Sequence, residues 1–139
     1  MNEIKLTPLN SIQLSGLLLF SFFVVAFGQP SWSSYFGMMA STIGFACFWR
    51  VLLDVENAKE RFCLGMSWYS AVQIVQLSWF LSHPYAYIYG VLLFCAWLIG
   101  LQWGFLSIWI TPRIIQKTSC LLALAGSWVL LEWSRLVFF

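Results

Sequence analysis

The chain has 139 residues, with 13 Phe, 9 Trp and 5 Tyr, yet only 9% of it is charged and its net charge is +2. An ordinary soluble domain carries roughly 25% charged residues, and here 44 consecutive residues after Lys5 and 51 after Arg61 carry no charge at all. Such a composition excludes a water-soluble globular domain, a disordered chain and a nucleic-acid binder, and leaves a membrane protein.

A helix needs about 20 apolar residues to cross the hydrocarbon layer, so a chain of this length has room for about five. The first apolar run covers residues 11–27 and is broken by Gly28-Gln29-Pro30-Ser31. The second covers 32–53 and meets the octapeptide Asp54–Arg61, in which five residues are charged. The third covers 62–81 and stops at Ser82-His83-Pro84, and the fourth covers 85–110 and stops at Thr111-Pro112-Arg113. The fifth covers 119–139 and is still apolar at Phe139, so the expectation is a single transmembrane domain over 1–139, incomplete at its C-terminal end. The expected class is all-α, a multi-pass bundle, since lipid demands that backbone groups be satisfied within each span and the runs lack barrel alternation. Lys5 followed by an apolar stretch and Ala26-Phe27-Gly28 loosely fits a signal peptide, but a second apolar run follows within a few residues, so a retained first helix is expected.

Charge placement predicts the orientation. With five alternating spans, Lys5, Arg50, Lys59, Arg61, Arg113 and Lys117 all fall on one side, while loops 28–34 and 82–87 contain no Lys or Arg. The positive-inside rule puts the N-terminus in the cytoplasm. Trp32, Tyr35, Tyr85, Tyr87 and Tyr89 gather at the other side, as an interfacial aromatic belt would.

Glu132 and Arg135 are the most informative charged pair. Glu132 is the fourteenth residue of a helix entering at Ser119, roughly 21 Å along at 1.5 Å per residue. Arg135 and Trp128 share its helical face. Charges at such depth face protein or a wet cavity, so the pair reads either as a polar floor beneath an outward-facing site or as a neutralising pair that snorkels to the interface. On the third span Ser67, Ser70, Gln73 and Gln76 recur every three residues, a stripe expected to hydrogen-bond neighbouring helices rather than line a transport path. Ala96, Gly100 and Gly104 form a small-residue stripe that permits close helix approach, within the chain or between chains. Cys47, Cys63, Cys95 and Cys120 have no paired spacing and read as buried small apolar residues, Cys63 and Cys120 on the cytoplasmic side where thiols stay reduced, and His83 reads as an interfacial polar residue. There is no phosphate-binding loop, metal-ligand cluster or Ser-His-Asp set, and no cofactor is expected.

The block Trp128-Val-Leu-Leu-Glu132-Trp-Ser-Arg135 resembles a helix of bacterial apolipoprotein N-acyltransferases that reads Trp, three residues, Glu, an aromatic, one residue, Arg. Ala26-Phe27-Gly28-Gln29-Pro30-Ser31-Trp32 is similar to the family's turn between its first two helices, and Trp79-Phe-Leu-Ser82 to the end of its third. The resemblance implies the N-terminal transmembrane part of an enzyme whose membrane helices carry a nitrilase-like domain. In that domain a Glu-Lys-Cys triad moves an acyl chain from phospholipid through a cysteine thioester to the amine of a diacylglyceryl-cysteine. A thiolate nucleophile, a carboxylate base and a lysine facing the oxyanion suit that two-step transfer. No residue here matches the triad, so the chain alone is expected to be inactive, with phospholipid, apolipoprotein, the bilayer and the missing nitrilase-like domain as partners and no nucleic acid. The resemblance also implies the bacterial inner membrane and gives Trp128, Glu132, Arg135, Trp79 and Trp32 as candidate lipid-side or structural residues. The alternatives are a small transporter or channel subunit and a non-catalytic membrane assembly factor.

Overall fold

The computed structural model describes residues 7–28 and 32–138, the side chains of Glu132 and of residues 134–138 excepted. The described residues are all-helical: α1 (Ser11–Phe27), α2 (Ser34–Leu52), α3 (Ala58–Gln76), a 3-10 turn (Ser78–Ser82), α4 (Tyr87–Ile108), the single-turn α5 (Pro112–Ile115) and α6 (Thr118–Phe138). Local chemistry sets several of these ends. Asn10 and Gln13 close a reciprocal capping box at the start of α1, with Gln13 N donating to Asn10 Oδ1 at 2.8 Å and Asn10 N donating to Gln13 Oε1 at 3.1 Å. Pro112 opens α5, where its missing N–H costs nothing.

One boundary departs from the sequence expectation. The third apolar run begins at residue 62, but α3 begins at Ala58, inside the charged octapeptide. The Asn57 side chain caps it by accepting from Lys59 N at 3.0 Å, and Glu60 lies in the first turn, where the helix dipole favours an acid. Charge bars a residue from lipid, not from a helix. The far end also differs, since α3 stops at Gln76 and gives way to the 3-10 turn before Pro84. The extra turn α5 raises the α-helix count among the described residues to six, against the five expected.

Two helix pairs, α3 with α4 and α1 with α2, run antiparallel and meet through glycine. A methyl group on Gly100 would collide with Ser70 Oγ and lie 2.8 Å from Met66 O. One on Gly65 would collide with Ser107, and one on Gly104 would come within 3.0 Å of Met66 and Phe62. The Gly100/Gly104 stripe therefore serves close approach of α3 and α4 within one chain, the most intimate pairing in the fold. Helices α1 and α2 pair in the same sense, with Gly44 against Val25. Gln76 Nε2 then ties α3 to α1 by donating to Val25 O at 3.1 Å, and Gln73 Nε2 donates to Gln76 Oε1 at 3.1 Å. Of the predicted polar stripe, Gln73 is buried and Gln76 half-buried, whereas Ser67 is exposed and bonds only within its own helix, to Cys63 O.

At the opposite end, Arg50 and Asp54 form an ion pair of 2.6 Å that also grips the segment before α1. Arg50 Nη2 donates to Thr7 O at 2.6 Å, and Asp54 Oδ2 accepts from Leu9 N at 2.7 Å. Arg61, 8% exposed, fastens the α2–α3 connection by donating from Nη1 to Val55 O at 2.7 Å and Glu56 O at 2.9 Å. The shared core contains Val25, Phe48, Leu52, Trp68, Val72, Ile99, Trp103 and Leu106, with Leu124 as the contribution of α6. Outside it, large apolar side chains stay exposed, among them Leu19, Phe20 and Phe23 on α1 and Leu93, Phe94 and Trp97 on α4. Among the described residues two helices, Ser34–Leu52 and Tyr87–Ile108, are long and apolar enough to cross a membrane. Helix α1 has 17 residues, and α3 is diluted by Lys59, Glu60, Arg61 and its Ser and Gln side chains.

Candidate functional site

The most elaborate side-chain arrangement is an aromatic cluster where α2, α3, α4 and α6 converge. Phe45 lies at its centre, with ring centroids 5.6 Å from Trp68, 6.1 Å from Tyr69, 5.2 Å from Trp103 and 4.1 Å from Trp128. Trp128 is edge-on to Trp103 at 3.8 Å, and Phe48 stacks on Trp68 at 4.0 Å and 10°. Edge-to-face and offset contacts of this kind add about 0.5–1.5 kcal/mol each beyond burial. The indole N–H groups of Trp68 and Trp103 are buried here without a hydrogen-bond partner among the described residues. A cavity of about 10 Å³ lies beside them, bounded by Tyr69, Ile99, Gln102, Trp103, Trp128 and Leu131.

Of the residues singled out by sequence, the structure brings only Trp128 into this cluster. The side chains of Glu132 and Arg135 lie outside the described residues. Trp32 is exposed just before α2 and touches Phe36, and Trp79 is exposed in the 3-10 turn against Phe80. From Ser34 to Phe45 the rise along α2 is roughly 17 Å, so Trp32 and Trp128 do not share one site. Phe45, Tyr69, Trp103 and Gln102 were not legible as site residues. The one available cue was that Trp103 adjoins Gly104 in the close-approach stripe.

Next to the cluster, α6 stands away from α4 and leaves an open apolar groove of about 500 Å³. Its walls include Phe105, Leu106 and Trp109 on α4, Ile114 on α5, and Ala123 and Leu124 on α6. Gln102 and Leu131 border both the groove and the small cavity. Ser127, also on the wall, spends its hydroxyl on Ala123 O at 2.8 Å. The four cysteines are unpaired, and of the four expected to be buried only Cys95 is, with Cys47 and Cys120 half-buried and Cys63 exposed. No group of three His, Cys, Asp or Glu among the described residues could hold a metal. The arrangement suits binding of an apolar chain beside a few polar donors.

Similarity to known proteins agrees with the resemblance carried by the 26–32, 79–82 and 128–135 blocks. The chain is 29% identical, across 86% of its length, to an apolipoprotein N-acyltransferase of Chlamydia caviae. It is 26% identical, across 83% of its length, to the apolipoprotein N-acyltransferase of Chlamydia pneumoniae. It spans 24% and 23% of those relatives. No family model matches the chain, and no solved structure matches it. Over most of its length this helical chain is thus similar to about a quarter of an apolipoprotein N-acyltransferase.

Proposed function

We propose that the chain is the helical membrane part of an apolipoprotein N-acyltransferase, multi-pass in a bacterial inner membrane with its N-terminus in the cytoplasm. Its role is to seat a catalytic domain supplied by further sequence and to admit phospholipid and apolipoprotein from the exterior side. The observation that carries this reading is the similarity to two such enzymes over more than four-fifths of the chain. The two long apolar helices and the exposed Phe and Leu side chains of α1 and α4 support a lipid environment. Six Lys and Arg on one side against none in the opposite short loops support the orientation. The amides that hinted at a transport path, Gln73 and Gln76, bond to each other and to Val25 instead.

Within this reading Glu132 and Arg135 pair near the outer end of α6 and form a polar floor for lipid access, one helical turn beyond Trp128. Trp32 and Trp79 belong to the exterior interface, where amphipathic rings settle at headgroup level. The test is a chimera in which this chain replaces the matching quarter of the Chlamydia caviae relative, expressed in cells depleted of their own N-acyltransferase. Mass spectra of a reporter lipoprotein should show the triacylated form. A chimera present in membranes at normal level that leaves the reporter diacylated sinks the reading. In the same background Glu132→Ala and Arg135→Ala should each lower triacylation, and the charge swap should restore part of it. If both single variants match the parent, the pair has no part in the site.

A further inference from the structure

The groove between α4 and α6 is not used by the reading above, which places lipid access at the exterior end of α6. The groove follows α6 from Cys120 up to Leu131, beside Glu132, so only its lower end, at Cys120 and Ile114, lies roughly 18 Å away from that place. At about 500 Å³ the groove has the size of a ligand pocket, the usual range being about 300–1,000 Å³. Its lining is almost wholly aliphatic and aromatic and it is open along one side. Its lower end is marked by Ile114, and that residue is flanked by Arg113 and Lys117, both exposed. Neither makes an ion pair among the described residues. No Asp or Glu occurs between Arg61 and Glu132, and Glu60, at the start of α3 which packs on the same end of α4, makes no ion pair with either cation among the described residues. Trp109, exposed at the same end, lies where interfacial indoles gather.

An apolar slot whose lower end is flanked along the chain by two exposed cations without an ion pair among the described residues is complementary to an anionic amphiphile. We propose that the α4–α6 groove holds one acyl chain of an anionic phospholipid of the cytoplasmic leaflet, with the phosphate against Arg113 and Lys117. Basic pockets between helices on the cytoplasmic side bind anionic headgroups in this way. A neighbouring helix laid in the slot would cover the apolar walls but would have to bring carboxylates of its own to match the two cations. The lipid is a structural one that fills the gap where α6 stands off from α4, and the site rests on the membrane reading above.

The chain purified in detergent and stripped of lipid is mixed with dioleoyl phosphatidylglycerol or dioleoyl phosphatidylcholine, and lipid bound per chain is measured by native mass spectrometry. One phosphatidylglycerol should be retained per chain, with affinity roughly thirtyfold above phosphatidylcholine, as two basic groups at a membrane surface supply. Arg113→Ala with Lys117→Ala should reduce phosphatidylglycerol to the phosphatidylcholine level, and Arg113→Lys with Lys117→Arg should keep the preference. Phosphatidylglycerol bearing a diazirine on its acyl chain should crosslink to peptides containing Phe105 or Leu124 in the unaltered chain, a readout that needs no variant to fold. Equal binding of the two lipids, a preference that survives the double alanine change, or crosslinks confined to the outer faces of α1 and α4 would each overturn the proposal. Neither sidedness nor acyl transfer enters this measurement, so failure of the membrane orientation, read separately by loop labelling in cells, is distinguishable from failure of the lipid site.

Discussion

Trp128 meets Trp103 edge-on, with ring centroids 3.8 Å apart and planes at 77°. With Phe45 at 4.1 Å on another side, this contact is the main anchor of α6, which otherwise meets α4 loosely across the open groove. In lipid no water-driven force holds helices together, so van der Waals contact of this kind carries the association. Trp128→Ala should therefore lower stability by about 1–3 kcal/mol, the sum of two or three aromatic contacts. Trp128→Phe should keep more than half of that. Thermal unfolding in detergent reads the loss, and an unchanged midpoint for the alanine variant would remove the cluster from the account of how α6 is held.

Close approach of α3 and α4 predicts a contrast between two glycines of the same helix. Any Cβ at Gly100 collides with Ser70 and Met66, whereas one at Gly90 meets nothing within 4 Å. Gly100→Ala should cost about 1–3 kcal/mol through overpacking. Gly90→Ala should be neutral or stabilise by up to about 1 kcal/mol, the helix preference for Ala over Gly. Equal behaviour of the two variants in detergent unfolding would contradict the observed interface.

The amide of Gln76 is the one side-chain hydrogen bond found between α1 and α3 among the described residues. Removing it with Gln76→Leu should cost about 0.6–2 kcal/mol, the range for such bonds within membranes. Gln73 would lose its acceptor at the same time, so the double variant Gln73→Leu/Gln76→Leu should be less damaging than the sum of the singles. A strictly additive result would show that the two amides act independently.

Orientation is tested by labelling. In a cysteine-free version, Asn57→Cys at the cap of α3 should be protected from an impermeant maleimide in intact cells and labelled after permeabilisation. Ala86→Cys, in the stretch before α4, should be labelled in both states. Labelling at 57 but not at 86 reverses the topology.

A fifth expectation concerns chemistry. Incubated with phospholipid and a diacylated lipopeptide, the purified chain alone should form no triacylated product, because none of Cys47, Cys63, Cys95 and Cys120 matches the nucleophile of the triad that the resemblance implies. Acyl thioester on any of the four, detected by intact mass, would place chemistry in this chain after all.

Helix existence was legible because lipid-like composition and breakers act locally. The run from Ser11 to Phe27 ends where Gly28 and Pro30 stop it, and Pro84 and Pro112 mark the ends of the next two connections. Hydropathy placed the start of the third segment at residue 62, because the charges of 54–61 hid the helix that Asn57 caps. The resemblance was legible because three short blocks follow the order found in the family. Facing was not. Helices that are apolar on every side, such as α1 and α4, carry no amphipathic stripe to say which face meets protein. Only the tertiary structure decided that Gly100 meets Ser70 within the same chain, that Gln76 reaches Val25 while Ser67 points outward, and that Phe45, Tyr69 and Trp103 gather around Trp128. It also decided that Trp32 and Trp79 are exposed rather than part of that cluster and that a groove opens between α4 and α6. Local sequence determines where a helix begins and ends, because each residue's backbone partners lie within four positions. Which faces meet depends on shape matching between segments tens of residues apart, and that is settled only when the helices pack.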